Sequence, residues 1–450
     1  MIPFLHPGAR LIDGLTGREL AGDALVREIH AAAERMFALP PGLMLSVMPA
    51  DARSVIRYLA ALLSRRPIAL LDPGIRGEAL LDLVNRFTPA IVAGPPPAAA
   101  TPDGYRTGSE TYWIRAGAPP HHPELGVLLA TSGSTGNPKL VRLSRPAVAA
   151  NARAVAQALG LTPGDLWPTT LSLHYTYGLT TLNAHLAAGG GVLVTGHSLL
   201  DREFWELSDS HGATSLAAVP YHFEILARLR FDAADHPKLR MITQAGGRLS
   251  EQRIADFARR MAVTGGHLVK MYGMTEAPRM SVLAPERLAD KIGSVGTAIP
   301  GGALSIDDGE VVYEGPNVMM GYAECGADLA RGDDLCGVIR TGDLGHLDDD
   351  GFLYLDGRIR RIGKVFGVRV NLDDVERMLA GRGLPVAVVG GDDRLVVWAE
   401  GLDRAGCAET ARELAAGLRT HPSGIDVRGI GALPLLPTGK IDYRTLENMP

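Results

Sequence analysis

The segment Val127-Leu128-Leu129-Ala130-Thr131-Ser132-Gly133-Ser134-Thr135-Gly136-Asn137-Pro138-Lys139-Leu140-Val141-Arg142-Leu143 decides how the chain is read. Its first four residues form a short apolar run that predicts a buried strand, and residues 140–143 predict a second. Between them lie hydroxyl side chains, two glycines and a lysine. Glycine lets a backbone turn tightly and approach a ligand closely. Successive N–H groups in such a turn make an anion-binding concavity, to which hydroxyls add donors and lysine a point charge. The loop therefore reads as a phosphate cradle or, taken alone, as a Ser/Gly-rich hairpin turn with no ligand. It is not a Walker A loop, because Gly133 and Gly136 are only three apart and Pro138 precedes Lys139.

Working outward, strand-like and helix-like stretches alternate on both sides. Residues 51–63 carry apolar side chains at helical spacing, 67–73 read as a strand, 77–87 as a helix and 90–94 as a strand. Downstream, Ser144 is a plausible N-cap, with Pro146 in the first turn of a helix reaching about Leu159. Residues 171–179 form a knot of aromatics. Strands at 240–243 and 267–271 open onto Gln244-Ala245-Gly246-Gly247-Arg248 and Tyr272-Gly273-Met274-Thr275-Glu276. This alternation predicts an α/β fold with a mostly parallel sheet, in which ligands gather beyond the carboxyl ends of strands. From about Gly296 the texture becomes Gly-rich with short strands, a β-rich subdomain. The expected domains are 1–356, large and N-terminal, and 357–450, small, α+β and C-terminal.

The 450 residues are too many for one typical domain. A net charge of −5 gives no electrostatic case for nucleic acid or an anionic membrane. No apolar run approaches the roughly 18 residues needed to span a bilayer. The N-terminus lacks a signal-peptide h-region. Three cysteines (Cys325, Cys336, Cys407) make no disulfide framework and suggest a reducing, cytoplasmic setting.

Five motifs stand in one order: residues 131–139, Tyr272-Gly273-Met274-Thr275-Glu276, Arg340-Thr341-Gly342-Asp343, Gly357-Arg358 with Lys364 and Gly367, and Pro437-Thr438-Gly439-Lys440. Together they resemble the adenylate-forming superfamily of acyl-CoA synthetases, adenylation domains and luciferases. The resemblance implies an AMP-forming acid–thiol ligase with a mobile C-terminal domain. A carboxylate would attack the α-phosphate of Mg-ATP, and a thiol of CoA or of carrier-protein phosphopantetheine would then take the acyl group.

The resemblance also implies roles. Thr131, Ser132, Gly133, Ser134, Thr135, Gly136 and Lys139 would hold the β- and γ-phosphates. Tyr272 would stack on adenine, with Gly246 and Gly247 leaving room, and Gly273 would belong to the same nucleotide site. Thr275 would bond the α-phosphate, and Glu276 would bind Mg²⁺, a hard cation suited to carboxylate. Asp343 and Arg358 would serve the ribose, Gly367 would admit a pantetheine arm, and Lys440 would stabilise the transition state. Tyr175, Tyr177, Tyr221, Ala245, Met271 and Met280 would line a pocket for a small acid, aromatic acids included.

Departures from the family pattern carry information. Relatives that activate amino acids place an Asp where this chain has Thr176, and an unpaired ammonium in a closed pocket is costly. The hinge position, often acidic, is Arg360. The chain ends ten residues after Lys440, so a stand-alone ligase, monomer or homodimer, is expected, with any carrier protein a separate partner. Alternatives are an amide ligase, a diazotase-like enzyme that adenylates nitrite for coupling to an aromatic amine, and a non-catalytic nucleotide-binding protein.

Overall fold

The computed structural model describes residues 2–94, 101–108, 112–130, 139–359, 361–365, 368–380, 383–391, 394–418, 420–436 and 439–449. Local signals translate directly into elements. The helix expected over 51–63 is Ala52–Leu63, capped by the Asp51 carboxylate accepting from Ser54 N. The helix opened by Ser144 runs Arg145–Ala158, with the Ser144 hydroxyl accepting from Ala147 N. The third is Gly77–Phe87.

The strand expected before the glycine-rich loop is Leu125–Ala130 and the one after it is Leu140–Ser144, paired antiparallel. They belong to an eight-stranded sheet whose centre is parallel: Leu125–Ala130, Ile68–Leu71, Met44–Val47 and Ile91–Ala93 lie side by side. These strands are almost wholly buried, as strands covered on both faces must be. A second sheet places Ser215–Ala218, Met241–Gln244 and His267–Tyr272 in parallel, then turns antiparallel with Ser281–Leu283 and Thr297–Ala298. The fold is thus the expected α/β class.

Other features lie beyond local reading. Arg10–Asp13 pairs in parallel with Gly191–Val194, joining the N-terminus to a strand far along the chain. The aromatic knot at 171–179 runs into a helix, Thr176–Ala187, buried from Thr176 to Leu186. Its buried face runs all the way round and mixes Leu and Ala with buried Thr180, Thr181, Asn183 and His185, so no 3.6-residue apolar stripe marks it. Its start requires Gly178, where an added Cβ would stand 2.3 Å from the Ser172 carbonyl oxygen.

The β-rich stretch is an antiparallel sheet of Ala303–Asp307, Glu310–Glu314, Val338–Leu347 and Leu353–Arg358. Beyond it, residues from Val365 onward build apolar clusters of their own, around Val388, Val397 and Leu414 and around Trp398 and Leu446. Cys325 and Cys336 are exposed and Cys407 is half-buried, all as free thiols. Among the described residues, no helix is long and apolar enough to cross a membrane.

Candidate active site

Parallel pairing of Met241–Gln244 with His267–Tyr272 brings both carboxyl ends to one edge, so residues 245–247 and 273–276 meet there. Tyr272 is 8% exposed, and its hydroxyl donates to Asp343 Oδ2 at 2.5 Å. Asp343 and Arg358 face each other across the antiparallel pair, and Arg358 Nε donates to Asp343 Oδ1 at 2.8 Å. Burial, reinforced by the Asp343 charge, pushes the Tyr272 hydroxyl well above its ordinary pKa, so it stays a donor. Each Asp343 oxygen holds one donor and keeps further acceptor capacity.

Glu276 is buried, and its carboxylate accepts from the Tyr322 hydroxyl at 2.8 Å. Among the described residues no ion pair holds it. A buried carboxylate with one hydrogen bond and no cationic partner fits a hard divalent cation, which commonly takes one or two protein carboxylates plus substrate phosphates. Lys139, the end of the glycine-rich loop, lies 5.9 Å over the Tyr322 ring and pairs with Glu324 at 2.7 Å. Tyr322 therefore stands between Lys139 and Glu276. Thr176 Oγ1 donates to Thr275 Oγ1 at 3.1 Å. The side chain at the position read for its missing Asp thus holds Thr275.

Lys440 arrives on a tight turn. Leu435 and Ile441 form a bridge, Leu436 N donates to Lys440 O at 2.7 Å, and Gly439 N donates to Leu436 O at 2.8 Å. Gly439 has φ +75°, and a Cβ there would lie 3.0 Å from Val219 Cγ2, so glycine permits both the turn and its seat. The Lys440 amine lies 5.7 Å from the centre of the Tyr175 ring, a cation over an aromatic face. Burial, aided by Arg358 and Arg279 and opposed by Glu276 and Asp343, lowers its pKa to about 8.

The Tyr175 and Tyr177 rings meet edge to face at 6.5 Å. Gly246 has φ +81°, and a Cβ there would reach within 2.8 Å of the Tyr175 hydroxyl; at Gly247 it would meet Pro220 Cγ at 3.1 Å. A Cβ on Gly273 would stand 2.4 Å from Arg279 N, so the turn after His267–Tyr272 also needs glycine. Tyr177, Ala245, Met271 and Met280 are buried in the main core, whereas Tyr221 is 41% exposed beside Gly439. Thr131, Ser132, Gly133, Ser134, Thr135, Gly136, Arg360 and Gly367 lie outside the described residues.

The sequence reading did not single out Tyr322 or Arg279. Arg279 had a visible signal, a charge beside the apolar run Met280-Ser281-Val282-Leu283, three residues after Glu276. Tyr322 had none, because only the pairing of Gly321–Ala323 with Leu140–Ser144 carries it to Glu276.

The chain resembles proteins already characterised. Residues 98–323 match the AMP-binding enzyme family. The chain is 33% identical over 301 residues to indoleacetate–CoA ligase of Aromatoleum aromaticum, covering 62% of this chain and 58% of that protein. The chain thus spans less than two thirds of that relative's length. It is 30% identical over 361 residues to sulfoacetate–CoA ligase of Cupriavidus necator, covering 73% of this chain and 68% of that one. The fold matches O-succinylbenzoate coenzyme A synthetase from Bacillus subtilis in complex with AMP, with a TM-score of 0.77 at 20% identity over 98% of this chain and 95% of that one. By its matched region, its relatives and its fold, the chain belongs to the AMP-binding enzyme family.

Proposed function

We propose that this protein activates a small carboxylic acid, aromatic acids included, with ATP and passes the acyl group to a thiol of CoA or of carrier-borne pantetheine. In the first step the acid's carboxylate oxygen bonds the α-phosphorus and the bond to the bridging oxygen breaks, releasing pyrophosphate. In the second the thiol displaces AMP from the acyl carbon. The observation that carries the reading is Lys440, held 5.7 Å over Tyr175 beside the Tyr272–Asp343–Arg358 cluster, although these residues come from five separate stretches of chain.

In this reading Asp343 and Arg358 hold the ribose, Gly246 and Gly247 keep the nucleotide and acid spaces clear, and Gly273 allows the turn that brings Thr275 and Glu276 to the phosphates. Tyr272 flanks the adenine, and Lys139 with residues 131–136 grips the phosphates. Thr275 meets the α-phosphate and Glu276 holds Mg²⁺, which would neutralise phosphate charge. Lys440 places a positive charge where negative charge develops, which lowers the barrier more than it strengthens ground-state binding. Residues 357–450 act as a mobile unit, whose first two residues end the strand Leu353–Arg358.

Pyrophosphate release across an acid panel, with and without CoA, tests the reading, with nitrite plus an aminoarene as a separate arm. Acid-dependent pyrophosphate with CoA-dependent consumption of acyl-AMP is the expected result. Release only with nitrite and an amine, or with no acid at all, would sink it.

A further inference from the structure

Arg279 holds a charge that no role above uses. It is 3% exposed, and its Nε and Nη2 are buried without hydrogen-bond partners. Among the described residues no hydrogen bond or ion pair of its guanidinium is formed. Its Cζ lies 4.0 Å over the Tyr177 ring. Other buried arginines here are used differently. Arg142 donates to the carbonyls of Met320, Arg331 and Gly332 and to the Asp334 carboxylate. Arg66 donates to four carbonyls, of Pro40, Gly42, Met36 and Leu39.

The backbone at Arg279 is also constrained. Its φ is +55°, a left-handed conformation that costs a non-glycine residue energy and persists only when the surroundings enforce it. The enforcing groups are buried amides. Asn317 Nδ2 donates to the carbonyls of Pro278 and Arg279, each at 2.9 Å, and Asn151, from the helix Arg145–Ala158, also donates to the Pro278 carbonyl. Two distant elements thus lock a strained turn whose result is a desolvated, unpaired guanidinium. A ring face returns only part of the hydration a cation loses. The missing partner is an anion.

The location limits which anion. The Tyr177 ring under Arg279 meets the Tyr175 ring, and Lys440 lies over the latter. Arg279 and Lys440 therefore flank one pair of tyrosines. The two cations thus mark opposite ends of this aromatic pair, close enough that Arg279 acts on the charge of Lys440.

We propose that Arg279 receives a second anionic group on the acid, so that the preferred substrates are short dianionic acids, with one carboxylate at Lys440 and the other at Arg279. This rests on the activation reading above and narrows its substrate class. A monoacid of equal length would cover the guanidinium without neutralising it, which a buried charge resists.

The test pairs acids of matched frame: succinate against butyrate, glutarate against pentanoate, phthalate against benzoate. Each is titrated calorimetrically into the full chain and assayed for pyrophosphate release with Mg-ATP. Within at least one pair the diacid is expected to bind and react at least about tenfold better, a difference typical of one charge-assisted contact. Arg279→Leu should erase that advantage, and Arg279→Lys, which keeps the charge, should retain part of it; thermal midpoints show whether both variants fold. Monoacids equalling or beating diacids in every pair would overturn the inference, as would a diacid preference that survives in folded Arg279→Leu. If no acid releases pyrophosphate, the activation reading falls, and the binding titrations alone still decide the role of Arg279.

Discussion

The Tyr272 hydroxyl donates to Asp343 Oδ2 at 2.5 Å, tying the end of one sheet to a strand of another. Arg358 occupies the other carboxylate oxygen, so Asp343 is oriented from both sides. Asp343→Asn puts an amide N–H₂ against a donor and removes the charge. The KM for ATP should rise about 10- to 100-fold, the scale of one or two charge-assisted hydrogen bonds. Tyr272→Phe removes one orienting bond and should raise it by roughly tenfold at most. ATP–pyrophosphate exchange reads both, and an unchanged KM in Asp343→Asn would count against the ribose role.

Lys440 has its pKa lowered to about 8, chiefly by burial. The ammonium is present below that value and is lost as pH rises through it. The descending limb of kcat/KM for ATP should therefore fall near pH 8, well below the usual lysine range. Bound phosphates favour the ammonium, so the limb in kcat should move upward. A profile flat between about pH 7 and pH 10 would contradict this assignment. Lys440→Ala should lower acyl-adenylate formation by about 10²- to 10³-fold, as loss of one preplaced transition-state contact does.

Glu276 has only the Tyr322 hydroxyl on its carboxylate among the described side chains. Glu276→Gln should raise the Mg²⁺ concentration for half-maximal activity by roughly tenfold or more, because a neutral amide is a poor ligand for a hard cation. Tyr322→Phe frees the carboxylate to rotate and should cost less, though in the same direction. A magnesium titration of pyrophosphate release distinguishes the two. No change in Glu276→Gln would remove it from the metal site.

A stability prediction concerns Asp165, far from this chemistry in role. Its side chain is 2% exposed and accepts from Arg240 Nε at 2.6 Å and Nη2 at 2.7 Å, from Thr162 N and Oγ1, and from Thr214 Oγ1. Burial alone would raise its pKa, but these donors hold it well below the usual carboxylate range. Asp165→Ala leaves them unpaired and should cost about 2–4 kcal/mol, a discount on the fully buried case because Arg240 is one-third exposed. The depressed pKa places this stabilisation above the unfolded value near 4, and it is lost as pH falls toward the folded value. Urea midpoints of the two proteins should differ clearly at neutral pH and converge in acid.

Much of the fold and some of the site are legible without coordinates. Asp51 and Ser144 announce their helices because an N-cap is a local bargain between one side chain and the next turn's N–H groups. Strands at 240–243 and 267–271 are visible by composition, and the glycines that follow them indicate where the backbone must stay open. The buried helix Thr176–Ala187 is not visible, because it is covered on every side and its buried polar residues, such as Asn183 and His185, find partners only in distant elements. Burial does not follow from composition either: Met280, Tyr177, Ala245 and Met271 all lie in the main core, while Tyr221 is exposed.

By itself the sequence determined the α/β alternation, the motif order and hence the family, because these rest on contacts between near neighbours and on residue types that a nucleotide requires. Tertiary structure alone decided that Lys440 comes over Tyr175, that Tyr322 serves Glu276, and that Arg279 is buried with no anionic partner among the described residues. Each depends on which side chains arrive from distant segments and on how much water they exclude. Chain order does not encode the absence of a partner; it emerges only when every neighbour is in place.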